Sequence, residues 1–186
     1  MNMIELLKTN NNYEPISGPG AGGTDKESGH NYVSSFYEDA LKKYRNKKID
    51  LLEVGLAYGA SLRLWDEYFS DVTIYGVDIR NNINPNVDTS RFHLFFEDGY
   101  NQDFLNKIPD MDIIIDDGPH TFESQINFLI HYMNKVKPGG LLIIEDIAKI
   151  EYVETFKKFA GDKPYTVVDT REQYGIFDNI LFAINY

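Results

Sequence analysis

Leu51-Leu52-Glu53-Val54-Gly55-Leu56-Ala57-Tyr58-Gly59 decides the fold. A short apolar run, broken by one acid, stops at a glycine turn. A helical pattern follows over 61–69, where Leu62, Trp65 and Phe69 recur at helical spacing. Working outward, the same alternation continues. Apolar runs at 72–77, 92–96, 111–115 and 141–144 read as strands. Helical patterns at 101–107, 123–136 and 152–159 separate them, the second ended by Pro138-Gly139-Gly140. Upstream lie a helix over 32–44 and the first strand, 49–54. Downstream, 165–169 and 180–184 add two more strands, the last antiparallel. Strands that are apolar throughout and alternate with helices predict a mostly parallel sheet of seven strands, covered on both faces. In such a sheet a ligand sits beyond the carboxyl ends of the strands.

The 186 residues fit one domain, and 42% are hydrophobic, as in a globular chain. Eighteen basic against 29 acidic residues give a formal charge of −11, which repels phosphate backbones and argues against a nucleic-acid partner. There is no cysteine, so disulfides, thiolate metal sites and cysteine nucleophiles are excluded. The apolar runs are far shorter than a membrane span and the N-terminus lacks a signal-peptide core. A cytoplasmic protein is expected. Residues 10–29 are rich in Asn, Gly and Pro, with Gly-Pro-Gly-Ala-Gly-Gly at 18–23. They predict a loop that serves as a linker or a lid. The expected division is therefore an N-terminal segment, 1–29, and one domain, 30–186.

The residues just after each strand carry the chemistry. Gly55 and Gly59 allow backbone to approach a ligand closely, although a tight strand–helix connection would show the same glycines. No Gly-Lys-Ser/Thr follows, so this is not a phosphate-binding Walker loop. Glu53 would repel a pyrophosphate and suits a ligand that carries an ammonium and a sulfonium. Asp78, at the tip of the second strand, can accept from two ribose hydroxyls. Asp98 follows the third strand, where an adenine edge could be read. Asp116-Asp117-Gly118-Pro119-His120 ends the fourth and Glu145-Asp146 the fifth. Adjacent carboxylate pairs on neighbouring strand ends repel one another unless a cation intervenes, and oxygen ligands suit a hard divalent ion. Strand alternation lets only one of Asp116 and Asp117 face a given side, and the turn leaves that choice open. His120 titrates near neutral pH and could take a hydroxyl proton.

At these residues the chain resembles the metal-dependent class I sugar O-methyltransferases, which use S-adenosylmethionine and include enzymes acting on macrolide deoxysugars. The resemblance rests on Gly23-Thr24-Asp25-Lys26, His30, Tyr32 and Tyr37, then Glu53-Val54-Gly55 and Gly59, Tyr75-Gly76-Val77-Asp78, Asp116-Asp117-Gly118-x-His120 and Ile144-Glu145-Asp146. It implies a Rossmann-like α/β fold and transfer of a methyl group to a hydroxyl of a sugar or glycosylated small molecule. It further implies Asp117, Glu145 and Asp146 as ligands of Mg²⁺ or Mn²⁺, and His120 as general base. Thr24, Tyr32, Glu53, Gly55, Gly59, Ser61, Asp78, Asp98 and Asp116 are the implied cofactor contacts. Pro119 stands where the family has serine. The chain is shorter than larger relatives, so the acceptor site is expected to be open or completed by a second subunit in a homo-oligomer. Competing readings are a catechol- or phenol-type O-methyltransferase, a dinucleotide-dependent reductase and a non-catalytic cofactor-binding module. The incomplete glycine fingerprint counts against the second, and the intact carboxylates and histidine against the third.

Overall fold

A computed structural model describes residues 2–9 and 23–186. The stretch 10–22, which holds most of the expected lid, lies outside the described residues. The elements run α1 (Met3–Thr9), α2 (Asp25–Ser28), a π-helical turn (Val33–Tyr37), α3 (Glu38–Leu41), a 3-10 turn (Lys42–Tyr44), β1 (Lys48–Val54), α4 (Ala60–Tyr68), β2 (Asp71–Asp78) and β3 (His93–Phe96). They continue with α5 (Gln102–Leu105), β4 (Met111–Asp116), α6 (Phe122–Tyr132), a 3-10 turn (Met133–Lys135), β5 (Val136–Ile144), α7 (Ile150–Ala160), β6 (Tyr165–Asp169), α8 (Arg171–Tyr174) and β7 (Ile180–Asn185).

The seven strands form one sheet in the order β3-β2-β1-β4-β5-β7-β6. All neighbouring pairs from β3 to β5 are parallel, and β7 runs antiparallel to both β5 and β6. The expected Rossmann-like architecture with an antiparallel last strand is what forms. Alternation along each strand splits the core between the two faces. Ile49 and Leu51 of β1, Ile113 and Ile115 of β4 and Trp65 of α4 pack on one face. Leu52 and Val54, Ile114, Phe128 of α6 and Phe156 of α7 pack on the other. Each such side chain, removed from water, contributes about 1.5–3 kcal/mol.

Differences from expectation lie at 32–44, which forms a π-helical turn, α3 and a 3-10 turn, at 101–107, which shortens to α5, and at 123–140. The helix expected over 123–136 ends as α-helix at Tyr132, and Pro138-Gly139-Gly140 lies inside β5 rather than after a helix. Strand partners decide this. Val136 pairs with Met111, while the amide of Gly139 donates to the Tyr186 carbonyl at 2.8 Å and that of Tyr186 to the Gly140 carbonyl at 3.1 Å. The short helices α1, α2 and α8 were not expected from pattern, α2 lying in the stretch read as a loop. Their four to seven residues are too few to establish a periodicity.

Candidate functional site

Strand order reverses between β1 and β4, because β2 and β3 lie on one side and β5 on the other. The crevice at such a switch point is where ligands bind in open α/β sheets. Three backbone bonds gather the strand ends here. Gly55 N donates to the Val77 carbonyl (2.9 Å), Asp117 N to Val54 (2.8 Å) and Glu145 N to Asp116 (3.0 Å). Gly55 has φ +90°, and a Cβ there would lie 1.9 Å from the Asp117 carbonyl oxygen, so only glycine lets the two turns cross. A cavity of about 570 Å³ opens over these ends, walled by Gly55, Asp78, Ile79, Asp98, Tyr100 and His120, among others. Asp78 and Asp98 also order their own turns. Asp78 accepts from Leu56 N (2.9 Å) and Arg80 N (2.8 Å), and Asp98 from Tyr100 N (2.8 Å).

At one end of the cavity Asp117, His120 and Asp146 converge, each offering a ligand atom within 4.8 Å of the others. His120 Nε2 lies 3.3 Å from Asp117 Oδ1, and its Nδ1 lies 3.5 Å from Asp146 Oδ2. His120 and Asp146 both hold positive φ, 56° and 52°, a conformation that costs free energy in a non-glycine residue and recurs at functional sites. α6 starts directly after His120. Thr121 caps it by accepting from Ser124 N, and Ser124 accepts back from Thr121 N. The Gln125 amide on the same helix donates to the Glu145 carbonyl at 3.1 Å, tying α6 to the turn after β5.

The electrostatics follow from crowding. Burial pushes Asp146 up to about 6, with Asp117 adding repulsion. Burial raises Asp116 to about 7 against the hydroxyl of Tyr100, which donates to it at 2.5 Å. Burial works in the same direction on Asp117, but Lys26 and His120 outweigh it and hold that carboxyl at about 2. For His120, burial favours the neutral ring, yet Asp117 and Asp146 prevail and raise it to about 9.

Lys26, Tyr32 and Tyr37 complete the site. The Lys26 ammonium, 1% exposed, meets Asp117 Oδ2 at 2.8 Å, Glu53 Oε1 at 3.3 Å and Glu145 Oε2 in a shorter contact. Burial alone would discharge it, but Asp117, Glu145 and Glu53 keep it protonated. Tyr37 donates to Glu145 Oε1 at 2.6 Å and Tyr32 to Asp146 Oδ1 at 2.9 Å. Tyr32 precedes the π-helical turn and Tyr37 ends it. Its i→i+5 winding, with more residues per turn, brings side chains five positions apart nearer to one face than an α-helix would, so both hydroxyls reach adjacent carboxylates. His30 Nδ1 is 3.3 Å from Asp146 Oδ1.

Of the residues singled out in the sequence, Gly55, Asp78, Asp98, Asp117, His120 and Asp146 wall the cavity. Thr24, Tyr32, Glu53, Gly59, Ser61, Asp116 and Glu145 are not among its lining residues. Glu53 is fully buried and accepts from Ser61 Oγ (2.7 Å) and Trp65 Nε1 (3.1 Å). Thr24 caps α2, and Gly59, at φ +82°, opens α4. Sequence reasoning gave no separate role to Lys26, Tyr100 or Gln125. For Lys26 a signal existed, since so many carboxylates at strand ends call for a counter-charge.

Whether these residues suit a divalent cation can be judged from the donor set. Asp117 and Asp146 turn carboxylate oxygens toward one point beside the His120 ring, and thiolates are absent from the chain. Lys26 and a protonated His120 face four carboxylates, Glu53, Asp117, Glu145 and Asp146, so the acids outnumber the cations. Oxygen-rich, acid-rich surroundings of this kind fit Mg²⁺ or Mn²⁺. A cation would also offset the carboxylates that now hold His120 protonated.

Comparison with known proteins follows the same lines. The chain is 27% identical over 175 residues to the 8-demethyl-8-alpha-L-rhamnosyl tetracenomycin-C 2'-O-methyltransferase of Streptomyces olivaceus, covering 88% of this chain and 44% of that protein. It is 32% identical over 127 residues to the mycinamicin VI 2''-O-methyltransferase of Micromonospora griseorubida, covering 62% and 31%. The chain thus spans less than half the length of these relatives. Among solved structures, MycE methyltransferase in complex with Mg, SAH and mycinamycin VI superposes with TM-score 0.64 at 27% identity, over 87% of this chain and 40% of that one. Another crystal form, with Mg and SAH, covers all of this chain and 53% of that one at TM-score 0.72 and 22% identity, which bears on the fold alone. The model of a family described as a methyltransferase domain matches residues 52–147, just over half of the chain, from β1 to the turn after β5. The chain belongs to this methyltransferase-domain family.

Proposed function

We propose that the chain transfers the methyl group of S-adenosylmethionine to a hydroxyl of a sugar or glycosylated small molecule, with a divalent cation and His120 acting on that hydroxyl. The observation that carries this reading is the convergence of Asp117, His120 and Asp146 at one end of the switch-point cavity, with Gly55, Asp78 and Asp98 along its wall. Gly55 lets backbone approach the methyl donor, Asp78 takes the ribose hydroxyls, and Asp98 lies toward the adenine. Thr24, Tyr32, Glu53, Gly59, Ser61 and Asp116 support these contacts without lining the cavity. Asp117, Glu145 and Asp146 would hold Mg²⁺ or Mn²⁺. Such an ion supplies Lewis acidity that lowers the pKa of a hydroxyl. His120 takes the hydroxyl proton. The acceptor oxygen forms its bond to the methyl carbon as the carbon–sulfur bond breaks, and the electron pair stays on sulfur, giving neutral S-adenosylhomocysteine. Because the methyl is already activated, placing the two reactants in contact supplies much of the rate. Similarity to the tetracenomycin and mycinamicin enzymes favours a sugar hydroxyl as acceptor. The net charge of −11 disfavours nucleic acid.

Calorimetric titration tests the cofactor. Saturable binding of S-adenosylmethionine with Mg²⁺ present, and no heat with NAD⁺, is expected. Binding of NAD⁺ instead, or no binding of the methyl donor with Mg²⁺ or with EDTA, overturns the reading.

A further inference from the structure

Lys26 has no part in the chemistry above, yet it is among the most deeply buried side chains of the protein. Burying an ammonium is costly unless it is closely paired. Here it touches three carboxylates from three different elements: Glu53 of β1, Asp117 after β4 and Glu145 after β5. No other ammonium pairs with these three among the described residues. Both oxygens of Glu145 are engaged, one by Lys26 and one by Tyr37. Asp117 gives Oδ2 to Lys26 and turns Oδ1 toward His120. The ammonium therefore occupies oxygens of two of the carboxylates that would bind a divalent ion.

We propose that Lys26 is a resident counter-ion that competes with the divalent cation for Glu145 and Asp117, holding the carboxylates together while the metal is absent and setting how tightly it binds. This rests on the reading that the site takes such a cation. Two effects act in one direction. The ammonium withholds ligand oxygens, and its charge repels a second cation nearby. Lys26 is carried by α2, immediately after the capping residue Thr24, so loading of the site is linked to how the segment around α2 is held.

The test is a Mn²⁺ titration followed by the electron paramagnetic resonance signal of the free ion, on the full chain. Lys26→Met is expected to lower the Kd for Mn²⁺ by about tenfold or more, and Lys26→Arg, which keeps the charge, to leave it close to the parent. Thermal unfolding gives a second readout. Without Mn²⁺ the Met variant should melt below the parent, and Mn²⁺ should raise its Tm by more than it raises the parent's. Lys26→Gln, which can still hydrogen-bond to the carboxylates, serves the same comparison where the Met variant does not fold. An unchanged or weaker Mn²⁺ affinity in the neutral variants, with the parent still binding, overturns the proposal and leaves the metal reading standing. No Mn²⁺ binding by the parent or any variant removes both.

Discussion

Replacing His120 with alanine is expected to lower methyl transfer by about 10²–10⁴-fold, the range that positioned proton transfer supplies, with little change in the affinity for S-adenosylmethionine. The imidazole stands at the cavity wall, held between Asp117 and Asp146, and strand β4 and the capped start of α6 fix its backbone on either side. That rigidity suits a base, which must meet one hydroxyl in one geometry. The positive φ of His120 makes the same point, because the fold sustains a backbone conformation that alanine would occupy no more easily. A stability effect can thus be separated from the chemical one by comparing unfolding midpoints. Full turnover in the alanine variant would remove His120 from the proton transfer.

Gly55→Ala is expected to cost on the order of 3 kcal/mol of stability, combining backbone strain with a steric clash. For a chain of this size that corresponds to a fall of about 6–12 °C in Tm. The new Cβ would meet the Asp117 carbonyl oxygen at 1.9 Å, the Asp117 carbonyl carbon at 2.5 Å and the Gly118 Cα at 2.9 Å, all of them backbone atoms that cannot swing aside. Relief would require the Asp117 turn to lift away from Val54. That movement would carry Asp117 from His120 and narrow the wall where the methyl donor lies, so binding of S-adenosylmethionine should fall along with stability. Thermal unfolding and calorimetry on the one variant check both. An alanine variant within about 0.5 kcal/mol of the parent that still binds the donor would contradict the crossing of the two turns.

The central strands and helices of this architecture were legible because each strand is an apolar run bounded by a turn. β1 and β4 illustrate it: Leu51-Leu52 and Ile113-Ile114-Ile115 bury residues on both faces, which only a sheet covered on both sides permits. Periodicity does not record which strands become neighbours, and the antiparallel place of β7 between β5 and β6 is settled by packing. The extended course of 136–140 escaped notice because Pro-Gly-Gly is a common helix stop, whereas here it pairs with Tyr186 at the far end of the chain. The candidate site was legible where cavity-lining residues coincide with strand ends, as at Asp78, Asp117 and Asp146. Lys26 has no such address. It sits between Asp25 and Glu27 in a polar stretch, where a lysine is ordinarily solvated, and its burial follows only from long-range docking of α2 on the carboxylates. Tyr37 depends likewise on a π-helical turn, which leaves no mark in hydrophobic spacing.

The most direct test of metal-assisted methyl transfer to a hydroxyl is a labelled-methyl assay. The protein is incubated with methyl-labelled S-adenosylmethionine and a panel of glycosylated acceptors, in Mg²⁺ and after chelation with EDTA. The expected result is label on an acceptor hydroxyl in Mg²⁺, loss of transfer to background in EDTA, and recovery on adding Mn²⁺. Equal transfer in excess EDTA would contradict the role given to Asp117, Glu145 and Asp146, and donor binding without transfer to any hydroxyl acceptor would contradict the activity itself.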